Sequence, residues 1–120
     1  MDIIKNNITK ILNNYNIYYR YYTYYTYNIN NYWKSFGNNM IGHCGVGNNE
    51  IRVIKPTTFY EGEIFEWKNN YDMVFVRLKN NVWKSFGNNK YGHCGIGSDK
   101  KIINKPIIVT DQKTLNYLEK

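Results

Sequence analysis

Two histidine–cysteine pairs, His43-Cys44 and His93-Cys94, carry the residue types with the most chemical potential in this chain. Two imidazoles and two thiols are the ligand types of a tetrahedral zinc site, and a thiol beside an imidazole can form a nucleophilic pair. The spacing opposes both uses, because zinc ligands within a knuckle lie about two to four residues apart and adjacent strand residues point to opposite faces. We therefore expect no metal, no cofactor and no catalytic residue. The cysteines are interpreted as small apolar packing residues.

Both pairs belong to an internal repeat with a period of 50 residues. Residues 31–50, NYWKSFGNNMIGHCGVGNNE, align without a gap with residues 81–100, NVWKSFGNNKYGHCGIGSDK, and 13 of the 20 positions are identical. Such a period is typical of propellers, solenoids and arrays, in which one unit cannot bury its own apolar face. We divide the single domain, 1–120, into units at about 1–50 and 51–100 and a partial third unit at 101–120. In that third unit Leu115 aligns with Phe65, and Tyr117 with Trp67.

The composition of each unit predicts β-structure. Residues 71–78 (YDMVFVRL) are rich in β-branched and aromatic types, and residues 18–27 (YYRYYTYYTY) form the equivalent strand of the first unit. Asn80-Asn81 predicts a tight turn because asparagine tolerates positive φ, and a second strand follows at 82–86. The glycine-rich segments 42–47 and 92–97 lack the ending and the following helix of a phosphate-binding loop, so they are interpreted as turns.

The repeated motif resembles that of the regulator of chromosome condensation family. It reads F-G-N-N-x-x-G-H-C-G-[VI]-G with a proline nine residues on, against the family's W-G-x-N-x-x-G-Q-L-G-x-G and proline. The resemblance implies four-stranded blades arranged around an axis, used mainly as binding platforms. It assigns structural roles in the repeat to Phe36, Gly37, Asn39, Gly42, His43, Cys44, Gly45, Gly47 and Pro56, and to Phe86, Gly87, Asn89, Gly92, His93, Cys94, Gly95, Gly97 and Pro106. The prolines are expected where an edge strand or a connection begins.

The length of the chain limits how much of a propeller it can form. Family members typically close a ring of seven blades, whereas 120 residues hold about 2.4 units of 50. The predicted fold is therefore all-β, a partial and open β-propeller of about two four-stranded antiparallel blades. Open sheet edges would allow self-association, and the chain would be a fragment or a short member of a propeller platform.

The side chains most able to contact a partner are tyrosines and basic residues. The chain has a net charge of +7, and 8 of its 13 tyrosines lie between Tyr15 and Tyr27. We predict partner-binding roles for Tyr18, Arg20, Tyr22, Tyr24, Lys34 and Lys84. The tyrosines could stack on single-stranded nucleic acid, form a protein-binding surface, or pack inside a strand whose composition reflects a base-biased genome.

These observations favour a non-enzymatic protein-interaction module or scaffold. By the family resemblance alone, such a module would regulate a small GTPase or associate with chromatin. The alternatives are a basic nucleic-acid- or chromatin-binding module that uses the tyrosine-rich strand, and a degenerate copy with no partner. The sequence shows no transmembrane span and no signal peptide, and two cysteines are too few for a disulfide scaffold. We therefore expect an intracellular protein, in the cytoplasm or the nucleus.

Overall fold

Among the residues that the structure describes, eight β-strands form two four-stranded antiparallel sheets, each ordered as its strands occur in the chain. The computed structural model describes residues 17–21, 24–70 and 73–120. We call the sheets blade 1 and blade 2. Blade 1 comprises β1 (Ile17–Tyr21), β2 (Tyr24–Ile29), β3 (Tyr32–Asn38) and β4 (Arg52–Glu61), and blade 2 comprises β5 (Glu66–Asn70), β6 (Met73–Arg77), β7 (Trp83–Asn88) and β8 (Ile102–Ile108). A single α-helix in the described residues, α1 (Gln112–Leu118), follows blade 2. The prediction of an all-β, open partial propeller with two four-stranded blades is confirmed.

Paired asparagines turn the chain between the second and third strands of both blades. Asn80 and Asn81 have φ of 64° and 58°, and Asn30 and Asn31 have φ of 50° and 65°. Asparagine adopts this left-handed region more readily than other residues that have a Cβ, so the predicted turn is confirmed and recurs in blade 1. The strand expected at 82–86 runs from Trp83 to Asn88.

The tyrosine-rich segment forms two strands rather than the single strand predicted for residues 18–27. β1 pairs antiparallel with β2, and Tyr21 lies opposite Tyr24. The segment contains only tyrosine, threonine and arginine, so no Gly, Pro, Asn or Asp marks where one strand ends and the next begins. The strand predicted at 71–78 is described from Met73 to Arg77.

The blades are offset from the sequence units. The fourth strand of each blade follows the glycine-rich segment, so β4 draws on residues 52–61 and β8 on residues 102–108. The start of the expected third unit therefore completes blade 2. Most of its remainder is α1, although Leu115 and Tyr117 align with Phe65 and Trp67 around the start of β5. The Asp111 side chain caps this helix by accepting a hydrogen bond from the Thr114 N–H at 3.0 Å, which favours a helical turn.

Pro56 and Pro106 lie inside the edge strands β4 and β8, not at their beginnings. Both lie in a β-bulge. Ser35 of β3 pairs with Thr57 and Gly37 pairs with Val53, so a longer stretch of β4 lies opposite a shorter stretch of β3, and β8 and β7 repeat this pattern. A bulge on an edge strand accepts proline because no ladder hydrogen bond is lost there. The same bulges oppose edge-to-edge pairing between molecules.

Aromatic side chains join the two blades. The Trp33 ring from β3 stacks on the Trp67 ring from β5 with centroids 5.9 Å apart, and Phe59 from β4 lies 5.6 Å from Phe86 of β7. Aromatic pairs at these distances stabilise an interface beyond the area that they bury. The blades therefore hold each other in a fixed arrangement, which positions the loops described next.

Candidate partner-binding surfaces

One buried asparagine in each blade fixes the conformation of the glycine-rich loop. In blade 1 the Asn39 side chain donates to the Glu50 carbonyl at 2.8 Å and accepts from the Cys44 N–H at 3.1 Å. In blade 2 Asn89 makes the same bonds, to the Lys100 carbonyl at 2.8 Å and from the Cys94 N–H at 3.1 Å. A single amide thus satisfies backbone groups at both ends of the loop, which gives a physical basis for the structural role that the repeat implied.

Two buried serines complete this frame, and sequence reasoning did not single them out. The Ser35 hydroxyl donates to the Cys44 carbonyl at 2.5 Å, and the Ser85 hydroxyl donates to the Cys94 carbonyl at 2.7 Å. Both serines are fully buried. Their identity at an offset of 50 residues was a signal that could have found them.

Cys44 and Cys94 are fully buried, at positions that a small packing residue can fill. Burial raises the pKa of the Cys44 thiol to about 12 and that of Cys94 to about 11. Both thiols are therefore protonated at neutral pH, and a protonated thiol is neither a good nucleophile nor a metal ligand. Across residues 24–70 and 73–120, no group of three His, Cys, Asp or Glu side chains could hold a metal ion.

The two histidines lie in different environments although their sequence surroundings match. His43 is buried, and its ring stacks on Tyr24 with centroids 5.5 Å apart. His93 is exposed and lies beside Tyr91. The difference comes from the neighbours of each loop, because blade 1 is followed by a second blade and blade 2 is followed by α1.

Blade 2 covers the glycine-rich loop of blade 1 closely. A Cβ at Gly42 would lie 2.9 Å from the Ile103 carbonyl oxygen of β8, whereas a Cβ at the equivalent Gly92 would meet no atom within 4 Å. The Gly47 N–H donates to the Asn104 carbonyl at 2.7 Å, so β8 also hydrogen-bonds the first loop. The corresponding side of the second loop is open in the described part of the chain.

Helix α1 covers the other side of the second loop. The Phe86 ring packs on Gly45 in blade 1, and Thr114 of α1 occupies the matching position on Gly95. The Lys68 ammonium donates to the Leu118 carbonyl at 2.6 Å, and Leu118 is buried in the blade 2 core. α1 therefore replaces one of the contacts that a further blade would make and leaves the rest of this face exposed.

The residues predicted to bind a partner are placed unequally. Tyr24 is fully buried, with its hydroxyl accepting from Thr26 at 3.0 Å, so it packs inside blade 1 and offers a partner no exposed ring. Lys34 and Lys84 are half-buried at equivalent positions of β3 and β7. For Tyr18 and Arg20 only their positions on β1 are described, and Tyr22 lies outside the described residues.

An open groove of about 570 Å³ runs along β8 and the end of the second glycine-rich loop. We call it the β8 groove. Aliphatic side chains form much of its lining, and three lysines, Lys100, Lys101 and Lys105, also line it. Its lining comes from residues 96–107 and from Asn49 of the first glycine-rich loop, which only the fold brings beside them, and sequence reasoning did not identify it.

Comparison with solved structures relates this arrangement to known propellers. Yeast RCC1 (Prp20), in a crystal structure bound to Kap60, aligns with 81% of this chain at 20% identity and a TM-score of 0.62. Human WBSCR16 aligns with 72% of the chain at 22% identity and a TM-score of 0.54. The chain has an RCC1-type propeller fold. It spans 23% of the length of each of these two chains. No protein-family profile and no curated protein sequence matches it, and no helix in the described residues is long and apolar enough to cross a membrane.

Within this RCC1-type fold, the identical and the differing positions of the repeat occupy different places. Identical positions such as Phe36, Asn39 and Cys44 are buried. Positions that differ between the two blades are mostly exposed, among them Met40 against Lys90, Glu50 against Lys100 and Ile51 against Lys101. The repeat therefore supplies a common frame on which the two blades present different surfaces.

Proposed function

We propose that the chain is a non-enzymatic protein-interaction module, formed by two blades of a propeller-type platform. The observation that carries this proposal is the separation of a repeated, buried frame from exposed positions that differ between the blades. A surface whose residues vary on a constant frame can be adapted to a partner without loss of packing. The buried, protonated thiols support the non-enzymatic part of the proposal.

A photo-crosslinking experiment tests the platform. Benzoylphenylalanine is placed singly at the exposed differing positions Met40, Ile51, Tyr91 and Lys101, and at Tyr117 as a control on α1. Tyr117 suits this purpose because it is 62% exposed and lies outside the repeated motif. We expect the same protein to crosslink from some of the four positions and not from Tyr117. If no position gives a protein adduct above that control, the proposal is wrong.

The nature of the partner requires two further measurements. Light scattering on the purified chain distinguishes a different protein as the partner from self-association. We expect the mass of one chain, which indicates a different protein as the partner. Nuclease treatment before crosslinking distinguishes a direct protein contact from one bridged by nucleic acid. A role on a small GTPase or on chromatin is the finer form of this proposal, tested by nucleotide exchange on a purified GTPase and by nucleosome binding.

A further inference from the structure

The β8 groove combines an apolar lining with a basic rim. Ile102, which is 40% exposed, and the half-buried Ile96 and Ile107 provide the accessible apolar surface, and the lining also includes the buried Ile103. The three lysines are exposed, and among the described residues they take part in no ion pair. Apolar side chains that stay exposed beside unpaired charges of one sign are typical of a site for a partner of the opposite charge.

Blade 1 provides an internal comparison for this groove. Its corresponding cleft is lined by two asparagines, two isoleucines and one opposite pair of charges, Glu50 and Arg52. The lining charge there sums to zero, whereas the three lysines of the β8 groove sum to +3 with no acidic residue in the lining. Lys105 has a counterpart in Lys55, whereas Lys100 and Lys101 replace Glu50 and Ile51. The added positive charge of blade 2 comes from these two positions, and the repeat frame does not require it.

We propose that the β8 groove binds an acidic polypeptide segment that inserts an aliphatic side chain between the isoleucines. This inference rests on the proposed platform function and names the chemistry of its partner. Neither an aromatic ring nor an arginine is among the residues that line the groove. Sites for single-stranded nucleic acid stack bases on aromatic rings and often use arginine, so the lining favours a polypeptide.

The test measures fluorescence anisotropy with three labelled probes and the full chain. The probes are a glutamate-rich peptide containing leucine, a peptide of glutamate alone, and oligothymidine. We expect the leucine-containing peptide to bind most tightly and to lose affinity as salt is raised, because rim charges are screened. Tighter binding of oligothymidine would overturn the proposal in favour of a nucleic acid.

Two substitutions that copy blade 1 separate the groove from the overall charge. Lys101→Ile and Lys90→Met each install the residue found 50 positions earlier, and each removes one positive charge. Lys101 lines the groove and Lys90 does not. We expect Lys101→Ile to weaken peptide binding by about threefold, as for one rim ion pair, and Lys90→Met to leave it unchanged. Equal losses in both variants would show that diffuse charge, not the groove, attracts the peptide.

The apolar part is tested by Ile102→Ala, a substitution at a partly exposed position. We expect this substitution to weaken binding of the leucine-containing peptide and to leave binding of the all-glutamate peptide unchanged. An equal loss of affinity for both peptides would refute insertion of an aliphatic side chain. Circular dichroism confirms that each variant is folded. If photo-crosslinks arise at Met40 or Tyr91 while substitutions in the groove do not change the affinity for the peptide, the proposed platform function stands and this inference is wrong.

Discussion

Replacing Gly42 or Gly92 with alanine separates the cost of a left-handed backbone from the cost of filling the contact between the blades. The two glycines occupy the same position of the motif and have nearly the same φ, +78° and +75°. They differ in their surroundings. β8 lies against the Cβ position of Gly42, and no described atom lies within 4 Å of the Cβ position of Gly92.

The structure gives the expected size of each effect. An alanine at positive φ costs about 1–2 kcal/mol at either position. At Gly42 the new Cβ would also lie 2.9 Å from the Ile103 carbonyl oxygen and 3.2 Å from the Asn104 Cα. Both are backbone atoms of a paired strand, so they cannot move aside cheaply, and such overpacking costs about 1–3 kcal/mol more. We expect Gly42→Ala to exceed Gly92→Ala by this second amount.

Urea unfolding, followed by tryptophan fluorescence, measures the difference. With an m-value of about 2 kcal/mol/M, the two midpoints should differ by about 0.5–1.5 M at equal m. Equal midpoints that do not depend on protein concentration would refute the close packing of blade 2 on the first loop. A Gly92→Ala variant as unstable as Gly42→Ala, with a midpoint that depends on protein concentration, would show that a second copy covers the second loop.

Three further predictions test the frame, the thiols and the helix cap. Asn89→Ala should lower the free energy of unfolding by about 1–3 kcal/mol because the Cys94 N–H is left buried and unpaired. The control is Asn88→Ala, which should cost less than about 1 kcal/mol because the Asn88 side chain accepts from the exposed Lys90 N–H. Urea midpoints that shift equally in the two variants would contradict the structural role of Asn89. Both thiols should react with a disulfide reagent at neutral pH only as fast as the chain unfolds, and rapid reaction of the native protein would show that they are accessible. Hydrogen bonds from Thr114 hold the pKa of the Asp111 carboxyl below its usual range. The stability that this carboxylate contributes is therefore present at neutral pH and is lost as pH falls through the lowered pKa. Asp111→Asn should weaken the dependence of the thermal midpoint on acid pH, and an unchanged dependence would refute the cap.

The sequence predicted the features that depend on local chemistry. Strands, asparagine turns and buried cysteines follow from residue type and from the neighbours along the chain. Because residues 50 positions apart have the same local structure, a feature predicted in one blade is also predicted in the other, as for the turns at Asn30-Asn31 and Asn80-Asn81. A bulge on an edge strand also follows from proline chemistry, although Pro56 and Pro106 were expected where an edge strand or a connection begins.

The features that the sequence did not predict depend on contacts between distant residues. A period fixes the length of a unit but not where it begins, so only strand pairing shows that β8 belongs to blade 2. The alignment of Leu115 and Tyr117 with the second unit does not predict α1, whose signal is local: an N-cap Asp111, with Leu115 and Leu118 spaced along one face. His43 and His93 differ for the same reason: identical segments face different neighbours.

The duplication itself limits where partner specificity can reside. Residues that are identical in both blades can distinguish them only where their surroundings differ, as at His43 and His93, and most of them are buried in the frame around Asn39 and Asn89. A partner that binds at one place must therefore contact positions at which the blades differ. Lys100 and Lys101 are two such positions, they replace Glu50 and Ile51, and they lie beside exposed isoleucine surface. If Lys101→Ile and Lys90→Met affect an acidic peptide equally, the reasoning from repeat differences to a binding site is wrong, whatever the platform binds.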